Sequence, residues 1–69
     1  MPVAKELIQE LLGKRVHLDT LDFHHLLGTL QARRDGLLVL CVQGREVSVP
    51  VAAVNSLTEA GPHEAEYLK

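Results

Sequence analysis

The chain has 69 residues, 46% of them hydrophobic, and a formal net charge of −2. That is room for one small domain with a marginal core, because a chain this short buries only about 60% of the surface its unfolded form exposes. A single cysteine excludes an internal disulfide framework, the Cys and His spacing excludes a zinc finger, and the weak negative charge argues against a general nucleic-acid coat.

Residues 3–12 read as a helix. Val3, Leu7, Ile8, Leu11 and Leu12 fall at helical spacing and form an apolar stripe, with Lys5, Glu6, Gln9 and Glu10 opposite. Pro2 suits a first turn and Gly13 a C-terminal cap. A helix this short is not stable alone in water, so it must dock. After Gly13 the period changes: Val16, Leu18 and Thr20 alternate with Arg15, His17 and Asp19, the pattern of a half-buried strand. Residues 21–25 are a short loop or a strand end near Asp22. Residues 26–33 form a second strand whose Gly28 marks a sharp bend or bulge. Arg34-Asp35-Gly36 is a tight hairpin turn. Leu37 to Val42 is a continuous apolar strand, expected to be buried on both faces or nearly so. Gln43-Gly44 turns the chain again. Val47, Val49 and Val51 alternate with Glu46, Ser48 and Pro50, where the proline ends the ladder. Residues 51–54 suit one helical turn, and Asn55 to Thr58 a last short strand. The polar segment 61–69 is expected to fray.

One N-terminal helix and about five short strands predict a mainly β fold. The strands curl into a strongly bent small barrel, residues 1–60, with the helix capping one open end. Small domains without disulfides or metals gain stability by association. The strand 37–42 and the Val47/Val49/Val51 strand present more β surface than one copy needs, which predicts a homo-oligomer. No apolar run approaches the roughly 20 residues of a membrane span, and no secretory signal opens the chain. With one free thiol, a reducing cytoplasmic location is expected.

The order of parts resembles the Sm-like family of Src-homology-3-like barrels. The helix runs into Leu12-Gly13-Lys14-Arg15-Val16, the bent second strand carries Leu27-Gly28-Thr29-Leu30, and Val54-Asn55-Ser56-Leu57 looks like the closing strand. The resemblance covers residues 3–58. It implies self-association, as in the rings of that family, and RNA as ligand. RNA-binding members follow the bent strand with an Asp and then a loop Asn that holds a base. Here the loop contracts to Arg34-Asp35-Gly36 with no Asn after Asp35, and Asn55-Ser56 stands where a basic-plus-small pair is usual. The chain is also similar to the PRC barrel through Leu12-Gly13-x-x-Val16, the Gly28 step and Val47-Ser48-Val49-Pro50, which implies an assembly or adaptor module without nucleic acid.

Lys14, Arg15, Arg33, Arg34 and Arg45 outnumber Asp19, Asp22 and Asp35 in the middle of the chain, a balance of +2, whereas residues 46–69 carry −3. These five cations are the candidate nucleic-acid contacts, effective if they gather on one rim. Phe23 and Tyr67 are the only aromatics, so binding is expected to be phosphate-led and salt-sensitive. His17, His24 and His25 are the residue type that ligates zinc or nickel. Adjacent strand positions face opposite ways, however, so His24 and His25 should not converge, and no metal is expected. Cys41, between Leu40 and Val42, reads as a small core residue rather than a nucleophile. No phosphate-binding glycine loop and no nucleophile elbow is present. The chain is therefore expected to be non-enzymatic and without a cofactor.

Overall fold

The computed structural model describes residues 4–69. The elements are α1 (Lys5–Leu11), β1 (Arg15–Thr20), β2 (His25–Arg34), β3 (Leu37–Val42), β4 (Arg45–Pro50), a 3-10 turn η1 (Val51–Ala53), β5 (Val54–Glu59) and β6 (Tyr67–Leu68). All pairings are antiparallel, in the order β4-β3-β2-β1-β5, and β6 adds to β2. The fold is mainly β with an N-terminal helix. The sheet is open, because β4 and β5 do not pair with each other among the described residues. No helix among those residues is long and apolar enough to cross a membrane.

The core follows the strand alternation. Val16 and Leu18 of β1, Leu26 and Leu30 of β2, Leu38, Leu40 and Val42 of β3, Val49 of β4, and Val54 and Leu57 of β5 are buried together. Helix α1 adds Ile8 and Leu11. It is shorter than its apolar stripe predicts: Leu7 and Leu12 stay exposed at its margin, and Pro2 and Val3 lie outside the described residues. Its C-terminal end is tied to the sheet, where the N–H of Gly13 donates to the carbonyl of Leu30 at 2.7 Å.

The two hairpin turns are as the sequence predicts. Asp35 and Gly36 have φ of 48° and 77°, and Gln43 and Gly44 have 52° and 79°, the double left-handed pattern that matches strand twist. The bend in β2 has two parts. A side chain at Gly28 would collide with the carbonyl of Cys41 and come within 2.7 Å of Val42, so β2 and β3 approach there as only glycine allows. The register then shifts between Leu30 and Ala32, a bulge the sequence does not announce. Cys41 is half-buried rather than a core residue. It sits one step out of phase with Leu40 and Val42, which belong to the core.

The five-strand, frayed-tail expectation is corrected at the C-terminus. Tyr67 and Leu68 pair with Leu27 and Leu26, which makes a sixth strand. Residues 61–66 carry the chain from the end of β5 past β1, and Gln43 binds Glu66 from the β3–β4 turn. Leu27, buried yet outside the core cluster, lies opposite Tyr67. A polar composition predicts fraying only when the segment has no partner, and here the partners lie between 23 and 51 residues away in sequence.

Candidate nucleic-acid interface

The five predicted cations do not form one rim. Arg33 and Arg34 end β2, opposite Leu38 and Leu37 at the start of β3. Arg45 opens β4 opposite Val42, at the other end of β3. At about 3.3 Å per residue, the six-residue strand holds the two turns roughly 16 Å apart. All three arginines are exposed, and among the described residues no carboxylate stands within ion-pair distance of them.

Lys14 and Arg15 are engaged instead. Lys14 is 3.9 Å from Glu59 on the adjacent β5. Arg15, half-buried at the start of β1, donates to the carbonyl of Glu64 and lies 3.4 Å from a carboxylate oxygen of Glu66. The acidic tail thus engages Arg15, the cation that opens β1, while Glu59 of β5 faces Lys14. Its own fold helps: the N–H of Gly61 donates to Glu64 at 2.6 Å, which together with His17 holds the Glu64 carboxyl below the usual range. The acidity of the tail is visible in the sequence, but its target is set by the fold.

The histidines separate onto their own carboxylates. His17 donates from Nε2 to Glu64 at 3.0 Å, leaving Nδ1 to accept from Tyr67 at 3.5 Å. His25 donates from Nδ1 to Asp19 at 2.6 Å, and Ser56 donates to the other oxygen of Asp19 at 2.8 Å. His24 lies 3.6 Å from Asp22 and donates to the carbonyl of Lys69 at 3.2 Å. Among the described residues no three His, Cys, Asp or Glu side chains converge as a metal site would require. Asp19 between His25 and Ser56 is not a nucleophilic triad, because the hydroxyl bonds to the carboxylate rather than to the imidazole.

A shallow groove of about 200 Å³ lies between α1 and the end of β2, lined by Lys5, Ile8, Gln9, Leu12 and Arg33. It places a second cation, Lys5, near Arg33. Binding grooves for small molecules usually start near 300 Å³, so this one suits a contact on an extended ligand better than an enclosed substrate. Comparison with family models, with curated proteins and with solved structures finds no significant match for the chain.

Proposed function

We propose that the chain is a non-enzymatic, Sm-like small barrel that associates with copies of itself and binds single-stranded RNA weakly through its phosphates. The observation that carries this reading is the open sheet, whose order β4-β3-β2-β1-β5 leaves β4 and β5 as unpaired edges among the described residues. Two free edges on one molecule favour head-to-tail strand pairing between copies. The exposed pair Arg33-Arg34, with Lys5 across the groove, supplies phosphate contacts that no carboxylate of the described residues competes for. Self-association would repeat that pair around the assembly. The reading includes no metal or cofactor, and the lone thiol of Cys41 suits a reducing, cytoplasmic setting.

A second reading is an assembly or adaptor module without nucleic acid, as in the PRC barrel. It is favoured by the pairing of Lys14 and Arg15 with Glu59, Glu64 and Glu66, which removes two of the five cations from any phosphate. Substituting Arg33→Glu and Arg34→Glu together discriminates the two. The RNA reading predicts lower affinity for an oligoribonucleotide and a salt slope shallower by about 1.4, since each phosphate contact to a single strand contributes about 0.7. Unchanged affinity removes RNA and leaves the assembly module.

A further inference from the structure

The segment 61–69 lies in a cradle of donors on the outside of the sheet, and each of its carboxylates answers two of them. Glu66 accepts from the Gln43 N–H at 2.5 Å through one oxygen and lies 3.4 Å from the Arg15 guanidinium through the other. Glu64 accepts from Nε2 of His17 at 3.0 Å and from the Gly61 N–H at 2.6 Å. The Gln43 side-chain amide donates to the carbonyl of Glu66 at 3.0 Å, and Arg15 donates to that of Glu64. Beyond these contacts the backbone takes over. Tyr67 and Leu68 pair with Leu27 and Leu26, and Lys69 and His25 exchange two N–H to carbonyl bonds of 2.8 and 3.1 Å. That edge of β2 is open to them because β3 pairs with β2 only from Thr29 onward. The cradle therefore reads an extended segment in two ways, its carboxylates by Arg15, His17 and Gln43 and its backbone by strand addition.

The segment is also the part least tied to the rest. β6 has two residues, none of residues 61–69 belongs to the core cluster, and Leu68 is exposed. Exposed ion pairs add little to stability, and elements with few buried contacts open at the lowest free energy. The attachment is a joint. Ala60 is buried and its N–H donates to the Arg15 carbonyl at 2.9 Å; Gly61-Pro62 follows. Glu64 folds back onto the Gly61 N–H, so the turn and the strand can move together. Every residue that touches the cradle lies beyond that joint, so the same segment of another copy makes the same contacts.

We propose that the cradle of Arg15, His17, Gln43 and the β2 edge is a binding site for an acidic extended peptide, and that segment 61–69 of a second copy occupies it by exchange with the chain's own. Exchange of an identical element is a low-cost route to association, because each copy keeps its contacts. The inference stands on the contacts of this segment alone. It needs neither RNA nor pairing of the β4 and β5 edges.

The test uses the isotope-labelled full chain and an unlabelled peptide of residues 61–69, followed by NMR. The amide signals of Gln43 and Leu27 should shift saturably as peptide is added. Glu64→Gln/Glu66→Gln in the chain weakens its own segment and leaves the cradle intact, so peptide should bind that variant about ten-fold more tightly. The same two substitutions in the peptide should weaken its binding about ten-fold. In a mixture of labelled and unlabelled full chains, isotope-filtered NOEs should join Tyr67 of one copy to Leu27 of another. If Gln43 and Leu27 do not shift even in the double variant, or if peptide without carboxylates binds equally well, the site is overturned. Shifts confined to β4 or β5 place the peptide on those edges and overturn it as well. If the mixed chains associate without the Tyr67–Leu27 NOEs, exchange is overturned while self-association through the β4 and β5 edges stands.

Discussion

Asp19 joins three strands through one carboxylate. From β1 it accepts from His25 on β2 and from Ser56 on β5, and these contacts hold its carboxyl below the ordinary value of 3.8. Glu64 is lowered in the same direction by the Gly61 N–H and by His17. A carboxyl whose folded-state pKa is depressed adds stability above its unfolded value and loses it as pH falls through the folded value. Melting temperature should therefore be level at neutral pH with respect to these two groups and fall below the ordinary values of 4.5 and 3.8. Asp19→Asn should lower the neutral melting temperature slightly and flatten its fall in acid; a variant as acid-sensitive as the parent would show that Asp19 is not a linkage site. The effect is modest because both groups are solvent-screened. In the sequence Asp19 stands out only as one charge of an alternating strand, with nothing to link it to His25 or Ser56. Only the register that sets Asp19 opposite both His25 and Ser56 makes them one cluster, and register is a product of the fold.

Among the elements, β2 carries the most constraint. It pairs with β1, β3 and β6 along its ten residues and turns twice to do so. Gly28 sits where β2 meets the backbone of β3, so Gly28→Ala forces atoms into a packed site, at a cost of about 1–3 kcal/mol. For a domain of this size that corresponds to a fall of at least about 5 °C in melting temperature by thermal unfolding. An unchanged melting temperature would mean that β2 and β3 separate easily at the bend. Most elements were legible locally. Helical spacing marked α1, alternation marked β1 and β4, and Asp35-Gly36 and Gln43-Gly44 marked both hairpins. What stayed hidden depends on distant partners. The bulge after Leu30 reflects how β3 lies against β2, and β6 exists because residues 64–67 find Arg15, His17, Gln43 and Leu27. The candidate cations were legible as residues but not as an arrangement, since nothing local shows that Arg33-Arg34 and Arg45 close opposite ends of β3.

At the scale of the whole molecule, one core of aliphatic side chains is enclosed by a single bent layer and one short helix. The β6 strand closes part of the outer edge of β2, yet β4 and β5 end the sheet with their outward backbone groups unpaired among the described residues. Natural sheets rarely leave two such edges uncovered, and pairing them between copies satisfies both at once. That pairing would also bring repeats of Arg33-Arg34 into one assembly, where weak single contacts combine. Self-association is thus the premise on which the proposed function depends. Sedimentation equilibrium across a concentration series tests it most directly. Self-association predicts a stable species over the series with the mass of two or more whole copies of the 7.6 kDa chain; a constant 7.6 kDa monomer at the highest concentration reached would contradict it.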